Sequence, residues 1–180
     1  MKKITTIFIL LFSVTLVQAQ EVKWMSMNEA LKAQKKHPKK IMMDAYTPWC
    51  GPCKMMEKNT FSNEDVAEFI NENYYAVKFN AEGTEEVTYQ DEKFNNPYYD
   101  ANKSGRNSQH EFAAALNITG YPSMVFFDEE GQVIAPLVGY RTPAQLEIFL
   151  KMFANDDYKE LTTQEAWDKY QQNFKGSFTN

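Results

Sequence analysis

Short apolar or β-rich runs alternate with helix-spaced patterns along most of this chain. Four of these runs predict strands, namely KIMMDAY (40–46), YYAVKFN (74–80), SMVFFD (123–128) and QVIAPLVGY (132–140). The last two flank Glu129-Glu130-Gly131, which predicts a hairpin turn. Because helical patterns separate the strands, the sequence predicts an α/β fold with a central sheet and helices on both faces.

Helix starts are marked by capping boxes, in which a Ser or Thr is followed three residues later by an acid or amide. Five such pairs occur: Ser26 with Glu29, Ser62 with Asp65, Ser108 with Glu111, Thr142 with Gln145, and Thr162 with Glu165. The fourth pair also has Pro143 at the first helical position, where a missing N–H does no harm. Each pair predicts a helix that starts there.

Residues 1–19 have the composition of a secretory signal peptide. Two lysines precede an apolar run at 7–17 that is too short to cross a bilayer, and small residues follow it. We therefore predict cleavage after Ala19. The mature chain, 20–180, is expected to be periplasmic or secreted, with no stable insertion into a membrane.

Size and charge narrow the function of the mature chain. Its length of about 161 residues suits one domain with a real core. Loss of the two signal-peptide lysines takes the formal charge from −5 to −7, which argues against a nucleic-acid partner. An exported protein meets an oxidising compartment, where disulfides persist.

The connection at 81–107 is far longer than typical loops. It is polar and charged, but it carries four aromatic residues, Tyr89, Phe94, Tyr98 and Tyr99. A helix is expected near 85–94. Two interpretations stay open: a surface excursion pinned by its aromatic residues, or a wall beside a functional site that selects partners.

The only two cysteines, Cys50 and Cys53, lie in TPWCGPCKMME, after a predicted strand and before helical residues. Cys50 is thereby placed at a helix N-terminus, where unpaired N–H groups and the macrodipole lower the pKa of a thiol. Cys53 lies one turn further in and is expected to be the more buried of the two. A loop this short gives little entropic stabilisation, so the pair is a poor structural staple.

Other kinds of cysteine chemistry lack the residues they need. A closed zinc site needs four ligands, and the two cysteines and two histidines have no finger-like spacing. Haem attachment needs a histidine after the second cysteine, where Lys54 stands. A single-cysteine hydrolase is disfavoured because the second thiol would capture the nucleophile. Redox exchange is therefore favoured, and no metal or other cofactor is expected.

The segment DAYTPWCGPCK resembles the active-site segment of the thioredoxin family, whose motif is WCGPC after a buried strand. Asp44 matches the buried acid of that family, and Lys78 matches the lysine that faces it. Gly120-Tyr121-Pro122, followed by SMVFF, resembles the cis-proline loop. The resemblance covers roughly 38–153. It implies a thioredoxin fold with a central mixed sheet, in a single domain over 20–180.

The resemblance implies a role for each matched residue. Cys50 would attack a disulfide and Cys53 would resolve the mixed disulfide. Asp44, with its pKa raised by burial, would deprotonate Cys53, and Lys78 would moderate that shift. Contact with the substrate is expected from Trp49, Gly51, Pro52, Tyr121 and Pro122, where the missing side chain of the glycine lets a partner's backbone approach.

Three features depart from the pattern of the family. Tyr121 stands where thioredoxins more often have a small or β-branched residue, and the insertion at 81–107 follows the second central strand. Extra helices are expected at the N-terminus and at about 156–174. These features favour an exported thioredoxin-like protein, and NTFSNEDVAEFINENYYAVKFNAEG resembles exported domains at the disulfide-reducing end of transmembrane electron relays.

The dipeptide Gly-Pro between the cysteines resembles that of reducing thioredoxins. Such a pair has a potential of about −270 mV, against about −120 mV for a strong periplasmic oxidant. We therefore expect a thiol–disulfide reductase of protein disulfides, which a membrane electron donor returns to the reduced state. A disulfide oxidase or isomerase, and a redox-inactive binding module, are the alternatives.

Overall fold

The structure is a computed structural model that describes residues 21–179, so the predicted signal peptide lies outside the described residues. The strands within this range are β1 (Trp24–Met25), β2 (Lys40–Tyr46), β3 (Tyr74–Asn80), β4 (Val87–Tyr89), β5 (Glu92–Phe94), β6 (Ser123–Phe127) and β7 (Val133–Val138). Five of them form a mixed sheet in the order β1-β3-β2-β6-β7. Strands β1, β3 and β2 are parallel to one another, whereas β6 pairs antiparallel with both of its neighbours, β2 and β7.

Helices cover both faces of this sheet, as the sequence predicts. They are α1 (Met27–Gln34), α2 (Gly51–Met56), α3 (Glu64–Asn73), α4 (Glu111–Ala115), α5 (Pro143–Ala154) and α6 (Gln164–Asn173). A π-helical turn, Glu57–Phe61, continues α2. Between residues 21 and 179, no helix has both the length and the apolar character needed to span a bilayer.

Strand β2 lies at the centre and divides the core in two. Its side chains alternate between the faces of the sheet, as the period of a strand requires. Ile41 and Met43 enter one cluster with Phe112, whereas Met42 enters the other with Leu146. Because both faces of the sheet are covered at β2, nearly every residue of this strand is buried, which explains its largely apolar sequence.

Two of the predicted capping boxes are confirmed. Ser26 and Glu29 cap α1 reciprocally, and Thr142 and Gln145 do the same for α5. The other three predicted caps are wrong by one or two residues: the caps are Asn63, His110 and Thr163 in place of Ser62, Ser108 and Thr162. Ser62, for example, has a helical backbone and donates its hydroxyl to the Lys58 carbonyl, so it cannot face the first turn of α3.

The helix expected near 85–94 is also wrong, because this part of the insertion forms the β4–β5 hairpin. Its two-residue turn places Gln90 and Asp91 in left-handed conformations, with φ of 51° and 64°. Val87 and Tyr89 alternate inward and are buried in the core. Packing against the sheet therefore decides the structure of this segment, and local helix propensity does not.

Candidate active site

Cys50 and Cys53 lie at the start of α2 and form a disulfide, with their Cα atoms 5.3 Å apart. Cys50 is the N-cap of the helix, and its Sγ accepts a hydrogen bond from the Cys53 N–H at 3.1 Å. The residue that follows it, Gly51, begins the helix, and Pro52 is in the first turn. After reduction, the same N–H donors would stabilise a thiolate on Cys50.

The expectation that Cys53 is the more buried cysteine is wrong. Cys50 is 2% exposed and Cys53 is 6% exposed. The reason is a pocket of about 240 Å³ that opens beside Cys53, and the residues around it are Tyr46, Thr47, Pro48, Cys53, Lys54, Glu57 and Lys78. Solvent can therefore reach the inner cysteine from this side.

Asp44 and Lys78 meet behind the cysteines because β2 and β3 pair in parallel with these residues in register. Asp44 is 2% exposed, and its Oδ2 lies 2.8 Å from the Lys78 Nζ. Its other oxygen, Oδ1, has no hydrogen-bond partner among the described residues. Burial raises the pKa of Asp44, against the opposing effect of the Lys78 charge. Asp44 can therefore take up a proton at a higher pH than an exposed aspartate.

Glu57 is a third charged residue at this site, and the sequence analysis missed it. Its carboxylate pairs with the same Lys78 ammonium, and its side chain is about half exposed. Its negative charge further raises the pKa of Asp44. A signal was available, since Glu57 follows Cys53 by four residues and therefore lies one helical turn further along the same face.

Aromatic rings surround the Lys78 ammonium. Its Nζ lies 4.7 Å from the ring centre of Trp24, 5.2 Å from that of Tyr46 and 5.3 Å from that of Phe61. Trp24 comes from β1, the strand that the sequence analysis did not predict, and it packs edge-on against Phe61. The rings attract the cation and shield part of it from water, its side chain being 24% exposed, which strengthens its interaction with the two carboxylates.

Trp49, which directly precedes Cys50, packs against Tyr121, so two of the residues expected to contact the substrate lie together. Their rings meet edge to face, with centres 6.0 Å apart. The peptide bond between Tyr121 and Pro122 is cis. A Cβ added to Gly51 would meet nothing within 4 Å, so no internal packing demands glycine there.

The two ends of the insertion also reach Trp49, through residues that the sequence analysis missed. The Trp49 Nε1–H donates to the Glu82 Oε2 at 2.7 Å, and the Asn107 N–H donates to the same oxygen at 2.8 Å. The Arg106 guanidinium lies over the indole, 4.4 Å from its centre. Their positions in the sequence could have indicated them, since Glu82 and Arg106 lie near the two ends of the insertion, which begins just after β3.

The middle of the insertion is anchored away from this site. Tyr89 is buried, and Phe94 packs against the same core cluster. Tyr98 and Tyr99 are exposed. The insertion is thus pinned by two of its four aromatic residues, while its ends border the cysteine pair.

No metal centre accompanies the cysteines within the described range 21–179. No group of three or more His, Cys, Asp or Glu side chains in that range is placed to hold a metal ion. The groups that the fold brings together are instead a cysteine pair, a buried acid with its lysine, and an aromatic rim formed by Trp49 and Tyr121. They define a thioredoxin-type disulfide site.

A sequence profile of the thioredoxin-like domain matches residues 27–154. This match covers most of the chain, and the chain therefore belongs to the thioredoxin-like family. The fold predicted from the sequence is confirmed.

Curated relatives include the thiol:disulfide interchange protein DsbD of Pectobacterium atrosepticum, 27% identical over 66% of this chain and 17% of the relative. The DsbD of Actinobacillus pleuropneumoniae is 32% identical over 52% of this chain and 12% of the relative. The chain thus spans less than a fifth of the length of these relatives.

Solved structures share the fold. A DsbH oxidoreductase superposes with a TM-score of 0.57 at 21% identity, covering 81% of this chain and 92% of that one. A thioredoxin-fold protein from Helicobacter pylori gives 0.59 at 18% identity, covering 84% and 86% of the two chains.

Proposed function

We propose that this chain is a thiol–disulfide oxidoreductase that reduces disulfides in other proteins. The observation that carries the proposal is the Cys50–Cys53 pair at a helix N-cap, with the Asp44–Lys78 pair buried behind it. Family membership and the similarity to DsbD proteins support the chemistry.

The exchange proceeds in two steps. In the reduced protein, the Cys50 thiolate attacks a substrate disulfide, so that a mixed disulfide forms and one substrate thiolate leaves. The Cys53 thiolate then attacks the Cys50 sulfur, closes the internal disulfide and releases the second substrate thiolate. Two electrons pass to the substrate, and the two protons lost from the protein's thiols end on the substrate's thiols. An external dithiol reverses the exchange and restores the reduced pair.

Asp44 has the properties of the base that the second step needs. Its raised pKa brings it closer to that of a thiol, and proton transfer is most effective when the two are similar. Lys78 holds one of its oxygens and leaves the other without a partner, and both Lys78 and Cys53 border the same pocket.

The direction of electron flow is proposed from Gly51 and Pro52, which separate the cysteines as in reducing thioredoxins. We further propose a periplasmic or secreted location, with the signal peptide removed after Ala19, and a membrane electron donor. One domain over 20–180 would hold a core at about 38–153 and a C-terminal helical extension at about 156–174.

The test is the equilibrium reduction potential of Cys50–Cys53 in the mature protein, titrated against glutathione. A potential near or below about −250 mV is expected for a reductase, and one near about −150 mV would point to an oxidase or isomerase. Reduction of a protein disulfide with a thiol donor supplied is measured in parallel. If wild-type protein showed no such turnover, a redox-inactive binding module would become the better interpretation.

A further inference from the structure

Arg106 stands at the rim of the active site with its charge unpaired by any carboxylate. It is exposed, and among residues 21–179 no acidic oxygen lies within 4.0 Å of its guanidinium. The nearby carboxylate of Glu82 is 8% exposed, and its Oε2 is occupied by the Trp49 and Asn107 N–H groups. Arg106 therefore brings an exposed positive charge to the Trp49 side of the site.

The position of this charge is fixed by the structure around it. The guanidinium stacks on Trp49, the residue directly before Cys50. Asn107, the next residue in the chain, is tied to Glu82, and Glu82 is tied to the same indole. A single carboxylate thus holds both the active-site tryptophan and the returning end of the insertion. Arg106 is held over the indole and does not project on a free loop.

We propose that Arg106 is a specificity-determining residue that recognises a carboxylate near the disulfide of the substrate protein. This inference rests on the proposed function and names its class of substrate, an acidic disulfide-bearing segment. The net charge of the chain is −5, so an acidic partner would otherwise be repelled. The Arg106 guanidinium, held over Trp49 next to Cys50, would attract an acidic substrate segment at the site of attack.

The position of Arg106 over Trp49 limits where the substrate carboxylate can lie. The guanidinium is 4.4 Å from the centre of the Trp49 ring, and Trp49 adjoins Cys50. An extended substrate advances about 3.3 Å per residue. The acidic residue recognised by Arg106 is therefore expected about one to three residues from the attacked cysteine.

The experiment compares short synthetic peptide disulfides that differ only in one residue beside the cysteine, which is Glu, Gln or Lys. Reduced wild-type protein is mixed with each peptide, and the released peptide thiol is quantified by chromatography. We expect the Glu peptide to exceed the Gln peptide by about two- to fivefold in kcat/KM, the range of a partly exposed ion pair. The ratio should fall towards one as salt rises from about 0.02 M to about 0.5 M.

Substitutions at Arg106 then assign the preference. Arg106→Gln should bring the Glu-to-Gln ratio close to one, Arg106→Lys should keep part of it, and Arg106→Glu should favour the Lys peptide. Lys103→Gln removes the same charge from an exposed position three residues away and should keep the wild-type ratio. A purely structural role of Arg106 would change the rates for all three peptides alike.

The outcomes separate this inference from the function on which it rests. Equal rates for the Glu and Gln peptides in the wild type would overturn the inference and leave the reductase intact. An equal loss of preference in Arg106→Gln and Lys103→Gln would also overturn it, because the cause would then be the general charge of the loop. No reduction of any peptide by the wild type would reject the proposed function, and the inference with it.

Discussion

The two sides of the active site are built differently. Behind the cysteines, Asp44 and Lys78 stand on paired central strands and in register, with Asp44 buried and Lys78 partly exposed. In front of them, Trp49 is held by Glu82 and Arg106, which belong to the two ends of a long insertion. The proposed proton chemistry would therefore depend on the sheet, whereas the surface proposed for partner recognition would depend on an insertion outside the five-stranded sheet.

The contrast extends to solvent exposure. Asp44 is almost inaccessible, so its properties come from burial and from the charge of Lys78. Arg106 is exposed, so its effect is electrostatic and sensitive to salt. Changes on the inner side should therefore alter rate and pH dependence for every substrate, and changes at the rim should alter the choice among substrates.

The largest effect is expected from Cys50→Ser, since it removes the nucleophile that both sides of the site serve. Disulfide reduction should fall by at least about a thousandfold, because the remaining thiol, Cys53, lacks the N-cap position that stabilises a thiolate on Cys50. Cys53→Ser is the matched variant: it should still attack and should accumulate a mixed disulfide that mass spectrometry detects. Turnover by Cys50→Ser at a rate comparable to that of the wild type would contradict the mechanism.

Asp44→Asn tests the inner side alone. Without the base, resolution of the mixed disulfide should slow by about ten- to a hundredfold at neutral pH, for acidic and neutral peptides equally. Stopped-flow quenching gives the rate of this step. If the rate fell for only one class of peptide, Asp44 would influence the choice of substrate, which contradicts the separate roles proposed for the two sides.

The same variant has a predicted signature in stability. The pKa of Asp44 is raised in the folded protein, so the folded state binds more protons than the unfolded state once the pH exceeds about 3.8. The free energy of unfolding of the wild type should therefore decrease relative to that of Asp44→Asn as the pH rises from about 3.8 through the raised pKa. Urea unfolding of both proteins across this range measures the difference, and a difference independent of pH would contradict the assignment.

On the rim, Glu82→Ala should leave the N–H groups of Trp49 and Asn107 without their shared acceptor. The expected loss is about 1–3 kcal/mol in the free energy of unfolding. Glu86→Ala is the matched control, because its exposed pair with Lys93 should contribute less than about 1 kcal/mol. Equal losses in the two variants would show that Glu82 does not anchor the insertion.

The smallest effect is expected at His110, a buried residue that ties the insertion to α4. Its Nδ1 accepts the Phe112 N–H and its Nε2 donates to the Glu85 carbonyl, which requires the neutral ring. Burial lowers the pKa of His110 below 6.5, so its contribution is complete above pH 6.5 and is lost as pH falls towards the lowered pKa.

The expected loss of stability is up to about 1 kcal/mol, and it should show as faster amide exchange in the insertion. His110→Asn, which keeps a capping acceptor, should weaken this dependence, whereas His37→Gln should not. If amide exchange in the insertion of His110→Asn kept the wild-type pH dependence, a residue other than His110 would cause that dependence.

Local signals predicted the inner side well. The strands carrying Asp44 and Lys78 are apolar runs, and their residues follow the pattern of a known family, so the pair could be expected before the structure was seen. The capping boxes that begin α1 and α5 were predicted for a similar reason, since a cap is a contact within four residues.

Long-range contacts account for the errors. The hairpin β4–β5 replaced an expected helix because Tyr89 packs against Phe112 and Phe127, which are distant in sequence. The relative burial of the cysteines was reversed because the pocket beside Cys53 is formed by several elements. Neither packing nor a pocket has a signature within one short window.

The sequence by itself indicated the class of this protein, because the local segment around Cys50 and Cys53 resembles the active-site segment of a known family. The Asp44–Lys78 pair was expected from the same resemblance, and the structure places the two residues in register. Only the tertiary structure showed that Glu57 and three aromatic rings lie around Lys78, and that the Arg106 guanidinium lies over the Trp49 ring. The physical reason is that these contacts depend on how separate elements pack, and the chain folds them together over separations that no local pattern encodes.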